Sequence, residues 1–278
     1  MKLTAKDFRA SGLPVEYVEK LMELLKHEDN ENFIQGVALA SSLGIAPNDI
    51  LDGLGFSMEM VTIPAGTFEY QEQAEVKVPA FLLGRFQVTE DQWSALMPFW
   101  KGADLMKNSG LPVAAVSWLD VKRFIDRLNT ILVGDSGWVY DLPHEVEWEY
   151  AAKAGQNFEY SGSNDPNEVA WYSENSKNRR HPVGKKKPNA FGLFDMSGNV
   201  SEWCCNIYYS KVEKTVKNFK RRKALRDAIP PIIRRVVRGG SYRSLPWQMS
   251  ITSRKRGVPM NRVSFNGFRL IARKIEAA

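Results

Sequence analysis

The sequence predicts an α+β protein, rich in loops, with a small helical extension at its N-terminus. Three observations lead there. Apolar residues recur at helical spacing through most of residues 1–55. From Gly55 onward glycine, proline, tryptophan and asparagine become frequent, and long periodic runs become scarce. The chain holds eight tryptophans, and in loop-rich sequence these point to a core of aromatic pegs and irregular backbone rather than long strands.

Taken in order, Leu13, Val18, Leu21, Leu24 and Leu25 define a first helix, with Pro14 suited to its first turn. Phe33, Ile34, Val37, Ala38, Ala40 and Leu43 define a second, with Asp29 or Asn30 to cap its start and Gly44 to end it. A short third helix covers Asp49 to Leu54. Three such helices make a small bundle, a docking arm or a packing appendage, and packing is the simplest reading. Met60 to Phe68 reads as a strand with a Pro-Ala-Gly turn inside it, and Phe81 to Val88 as another apolar run. Thr89 caps a helix over Glu90 to Met97, and Ser117 one over Leu119 to Leu132. Glu145 to Ala154 is a further helix, and after Gly155 mostly loop is expected up to Val237. The resulting division is a helical extension over 1–55 and a second unit over 56–278.

With 278 residues the chain has room for one large domain, or a medium one plus a small one. Hydrophobic residues at 44% and charged residues at 25% exclude wholesale disorder. Cys204 and Cys205 are the only cysteines, which excludes a disulfide-stapled scaffold and a four-cysteine zinc site. The three histidines, His27, His144 and His181, are scattered. An apolar leader is missing from the N-terminal residues, and no stretch approaches the ~18 apolar residues of a membrane span. A cytoplasmic protein without a membrane partner is expected. The net charge of +6 is uneven. Residues 211–238 carry eleven basic and two acidic side chains, a local +9, so the remainder is −3. A basic insert is therefore expected at 211–235, with a short helix over Lys217 to Arg226 that Pro230 and Pro231 end. Lys220, Arg221, Arg222, Lys223 and Arg226 are its candidate anion-binding residues. A solvated insertion is the simplest reading, then a dock for an acidic protein, then a nucleic-acid backbone contact. Phe219 alone interrupts the charges, too few aromatics for single-strand binding.

Several stretches carry a resemblance: MVTIPAGTF at 60–68, FLLGRFQVTEDQW at 81–93, PVAAVSWLDVKRF at 112–124 and YDLPHEVEWEYAAKAG at 140–155. They continue with EVAWYSENS at 168–176, HPVGKKKPNAFGLFDMSGNVSEW at 181–203, RVVRGGSY at 235–242 and NGFRL at 266–270. Together, in this order, they resemble the formylglycine-generating enzyme family, also called sulfatase-modifying factor domains. The resemblance implies a C-type-lectin-like fold, poor in regular secondary structure, over about residues 56–273. It does not carry the activity with it, because function belongs to the site.

The family's oxidase chemistry is understood to use two cysteines between the RGGS and GFR motifs, where paired thiolates hold copper(I). Residues 238–270 contain no cysteine. The first thiol would fall near Ser244 and the second near Pro246. No copper is expected, and Cys204 reads as a buried inert thiol. Iron-dependent relatives draw histidine ligands from an added helical domain, and an N-terminal arm with only His27 does not supply them. The resemblance does imply a structural calcium at the Gly-Asn-Val motif. Its ligands would be Asp195, the carbonyls of Gly198 and Val200, and Glu202, an all-oxygen set suited to that ion. The alternative is a hydrogen-bonded turn that caps the Trp203 core without metal. The family's second calcium site has no clear counterpart in the shorter, basic 175–187 loop. At the cap of its helix the family carries Thr where this chain has His144, a weaker cap that either faces a groove or is a neutral substitution.

Without thiols, residues 242–265 look like a binding surface. In this the chain resembles the variable proteins of diversity-generating retroelements, a subgroup that uses this domain as a ligand-binding scaffold. The candidate residues are Tyr242, Arg243, Ser244, Leu245, Trp247, Ser253, Lys255, Arg256, Gly257, Val258, Met260, Val263 and Phe265. Tyr, Trp, Arg and Ser of this kind make adaptable contacts. Adenine-directed mutagenesis of an Asn codon yields most of these residues, but never Trp, Lys or Met. The expected function is non-catalytic binding of an unidentified protein or small molecule. The alternatives are a formylglycine-generating-type oxidoreductase acting on protein cysteine, and a docking subunit that works through the basic insert.

Overall fold

The computed structural model describes residues 15–100, 109–132, 137–220 and 233–274. Its N-terminal part is three helices: α1 (Val15–Leu25), α2 (Asn30–Ser42) and α3 (Pro47–Leu54). Asp29 caps α2 by accepting the Asn32 N–H. Pro47 opens α3, and Gly55, in the left-handed region at φ 73°, closes it. Val18, Leu21, Phe33, Ile50 and Phe56 are buried in one cluster with Trp93, Phe124 and Phe268. These helices are thus a layer of the main core. Arg127 fixes the join, its guanidinium donating to the carbonyls of His27, Glu28 and Leu96 and to Asn30 Oδ1. It sits between the rings of Phe33 and Phe99, 4.4 and 4.6 Å from their centroids.

Strands β1 (Met60–Ile63), β4 (Phe81–Gly84), β10 (Ile271–Lys274) and β5 (Trp138–Asp141) form one antiparallel sheet in the order β1-β4-β10-β5. The predicted 60–68 strand is two strands, because Pro64 and Ala65 break it; β2 (Gly66–Tyr70) pairs instead with β3 (Ala74–Val78). Helices α4 (Glu90–Leu96), α5 (Trp118–Leu132), α6 (Glu145–Lys153) and the single turn α7 (Pro166–Val169) complete the first two thirds of the chain. Thr89 and Gln92 cap α4 reciprocally. Ser117 and Asp120 do the same for α5.

Two expectations are corrected. The loop predicted up to Val237 contains β6 (Ser201–Ile207), a central strand of the sheet β8-β7-β6-β9. Both of its faces are covered, so SEWCCNI shows no alternation of apolar and polar residues. Its partners are β7 (Arg235–Arg238), antiparallel, and β9 (Asn266–Gly267), parallel; β8 (Lys255–Gly257) pairs with β7. The basic helix, α8, begins at Val212 rather than at Lys217 and is described as far as Lys220; the remainder of the expected 217–226 helix lies outside the described residues. Val212, Thr215 and Phe219 face inward at helical spacing, and Phe219 meets the His144 ring at 5.0 Å. Lys220 is exposed, while Arg221, Arg222, Lys223 and Arg226 lie outside the described residues. At the far end of the segment Arg235 and Arg238 are buried, so the +9 is not all solvated. No helix among the described residues is long and apolar enough to cross a membrane.

Candidate functional site

The Gly-Asn-Val loop is built around backbone that few residues adopt. Gly198 has φ 82°, and a Cβ there would lie 2.3 Å from the Trp171 carbonyl oxygen. Asn199 follows at φ 59°. The loop delivers Glu202, on β6, into the core. Its carboxylate accepts two bonds from Arg269 and one from Trp148 Nε1. Arg269 also donates to the carbonyls of Gly84 and Phe194, so its guanidinium, like Glu202, is fully buried and bonded.

The predicted calcium ligands converge, but on a side chain. Gln87 Nε2 lies 3.1 Å from the Asp195 carbonyl, 3.4 Å from that of Gly198, 2.8 Å from that of Val200 and 2.9 Å from Glu202 Oε1. Asp195 takes part through its carbonyl. Its carboxylate turns away, accepting the Gly184 N–H at 2.8 Å, and burial pushes its pKa up to about 6. Calcium–oxygen distances are roughly 2.3–2.6 Å. The point that satisfies them is taken by the amide nitrogen, so the arrangement as it stands does not fit the ion. Among the described residues no group of three or more His, Cys, Asp or Glu is arranged to hold a metal. Copper(I) fares no better: Ser244 stands where the first thiol would fall, buried, with its hydroxyl accepting the Ser241 N–H. Cys204 is buried on β6, and burial pushes its thiol well above the usual value.

The 242–265 segment divides into a bolted middle and two exposed ends. Arg238 donates to Glu149 and to the carbonyls of Ile251, Thr252 and Ser253. Arg254 forks onto Glu145 at 2.5 and 2.7 Å and reaches the Tyr209 carbonyl. Burial raises the Glu145 pKa, but the Arg254 contact outweighs it and holds the carboxyl below its ordinary value. Ser253 therefore belongs to the scaffold, and Lys255 is half-buried beside it. Gly257 lies under Trp203, where a Cβ would come within 2.3 Å of the indole. Tyr242 and Ser244, predicted as contacts, are buried instead; the Tyr242 N–H donates to the Asn199 carbonyl and its own carbonyl accepts from Ser176.

What remains exposed falls in two patches. Arg243 and Leu245 precede the one-turn 3-10 helix Pro246–Gln248 and Trp247 is its middle residue, with Leu245 48% and Trp247 66% exposed. Arg256 is also exposed, while Val258, Val263 and Phe265 are half-buried. Met260, 63% exposed, and Val263 line an open groove of about 580 Å³ with Leu119, Asp120 and Arg262. Arg262 holds Asp120 with two bonds of 2.7 and 2.8 Å.

Sequence reasoning missed three contributors. Gln87 carried no signal, being one polar residue before Val88. Leu119 and Asp120 fall at the start of an expected helix and, like Arg262, carry no sign of a groove in the sequence. The third is the loop 177–187, KNRRHPVGKKK, which has six Lys and Arg residues and no Asp or Glu; that run was visible but was given no role. It adjoins the first patch, because Arg243 Nε donates to Asn178 Oδ1. Lys186 lies 4.2 Å over the Trp171 ring, whose other partner is the stacked imidazole of His181 at 3.8 Å.

Residues 56–274 match the family described as Sulfatase-modifying factor enzyme 1-like domain. Among curated proteins the chain is similar to the chaperone protein LppX of Paenibacillus barcinonensis, 30% identical, over 60% of this chain and 78% of that protein. It is 28% identical to the formylglycine-generating enzyme of Mycobacterium tuberculosis, over 54% of this chain and 52% of the enzyme, so it spans about half of that relative. Among solved structures it resembles Treponema denticola variable protein 1, with 26% identity and a TM-score of 0.62, over 77% of this chain and 94% of the other.

Proposed function

The chain belongs to the family of sulfatase-modifying factor enzyme 1-like domains, and from that membership we propose that it is a non-catalytic binding protein. Its contact surface is the exposed part of residues 242–265. The observation that carries this reading is the exchange at that place: the segment has no thiol, and it exposes Arg243, Leu245 and Trp247 instead. Exposed apolar groups of this size ringed by charge are what interface hot spots are made of. The similarity to a protein named as a variable protein supports the same reading. The neighbouring basic loop supports a ligand with an acidic rim, here a protein segment that offers an apolar side chain to Trp247 and carboxylates to Arg243, Lys177 and Arg179.

The finer proposal is that a retroelement diversifies this surface. Arg243, Leu245 and Ser264 are exposed and can arise from an Asn codon, whereas Trp247 and Met260 cannot and would be fixed anchors. Sequencing the gene across a population tests it. Substitutions confined to codons such as those of 243, 245 and 264 support diversification, and an invariant segment rejects it. Binding itself is tested by selecting peptides from a random display library on the full chain. The selected peptides should be acidic, and Arg243→Glu with Trp247→Ala should weaken them at least tenfold while leaving the fold intact. Equal binding to that double variant would refute the assigned face.

A further inference from the structure

We propose that the carboxamide of Gln87 takes the place of a calcium ion in this chain, so that the loop carrying the candidate face is held without metal. Four oxygens, three main-chain carbonyls and Glu202 Oε1, aim at one point deep in the protein. Four partial or full negative charges so placed repel one another unless something electropositive sits among them. Gln87, 1% exposed, supplies the two hydrogens of its Nε2. Its Oε1, at the other end of the amide, finds no hydrogen-bond donor. That cost is accepted only because the nitrogen end is needed where the oxygens meet.

The charges agree with this substitution. Glu202 is already neutralised by Arg269, and the Asp195 carboxylate points to Gly184 rather than inward. A dication at this point would meet three neutral carbonyls and one carboxylate that is already paired, whereas a neutral amide needs no counter-charge. The loop matters to the surface above it. The Gly198 N–H donates to the Gly239 carbonyl, the Asn199 carbonyl accepts the Tyr242 N–H, and the Asn199 side chain holds both the N–H and the carbonyl of His181. One amide therefore braces the start of the 242–265 segment and the root of the basic loop together.

The test is thermal unfolding of the full chain, first stripped with EDTA and then titrated with CaCl2, for the natural sequence and for Gln87→Glu. The natural chain should melt at the same temperature under both conditions. Gln87→Glu places an oxygen among oxygens. It should melt lower in EDTA and regain roughly 3 °C or more with CaCl2, since an ion that binds only the folded state stabilises it. A calcium-dependent rise in the natural chain, with one ion bound by calorimetry, would overturn the proposal, and that measurement stands alone should Gln87→Glu fail to fold. A Gln87→Glu chain as stable as the natural one and indifferent to calcium would overturn it equally.

Discussion

Asp120 accepts the N–H and hydroxyl of Ser117 on one side and the fork of Arg262 on the other, and so ties the groove loop to the start of α5. Partial burial raises its pKa, but the bonds from Arg262 and Ser117 outweigh that and set it below the ordinary value. A carboxyl whose folded pKa is depressed adds stability above its unfolded pKa and loses it as pH falls through the folded one. Asp120→Asn should therefore be less stable than the natural chain at neutral pH, by no more than about 1 kcal/mol because Arg262 is half exposed. The difference should close in acid. Denaturant melts at both pH values check this, and a gap that persists in acid would contradict it. Gly257 makes a second case. A methyl group there meets the Trp203 indole, so Gly257→Ala should cost about 1–3 kcal/mol by the same melts. Neither role could be read from the residue alone. A serine cap three residues before Asp120 is a local pattern and was legible, but the partner 142 positions away was not.

Elements were legible where their pattern is local. Helices α2 and α4 follow from apolar spacing and from caps at Asp29 and Thr89, and α6 from its Glu, Trp and Ala content. His144 does cap α6, its Nδ1 accepting the Val146 N–H while Glu147 accepts its own. β6 is hidden because a strand covered on both faces has no alternation to read, and the start of α8 is hidden because its charges mask the Val212–Thr215–Phe219 stripe. Beside the apolar packing that attaches α1 and α2, one side chain from α5, Arg127, clamps the turn between them. Arg127→Ala removes charge-assisted bonds to three carbonyls and should cost about 2–3 kcal/mol. Hydrogen exchange should quicken first in residues 15–42. A uniform loss of protection across the chain would argue against this local clamp.

At the scale of the molecule, the sequence motifs located the fold and the emptied oxidase position, while the shape of the candidate face came only from packing. Tyr242 and Ser244 look like contact residues in sequence, yet the backbone turns them inward, and the exposed cations that join Arg243 come from the 177–187 loop. A face of this charge predicts that acidic peptides selected on it bind more weakly as salt rises. Lys177→Glu with Arg179→Glu should flatten that dependence, and Lys220→Glu should not. The central claim is that this surface binds and does not oxidise. The most direct measurement is to give the full chain copper(I), oxygen and a cysteine-containing peptide, and follow both metal uptake and the fate of the peptide thiol. The account predicts no stoichiometric copper at residues 242–265 and an unchanged cysteine. One bound copper(I) per chain, with the peptide cysteine converted to an aldehyde, would contradict it.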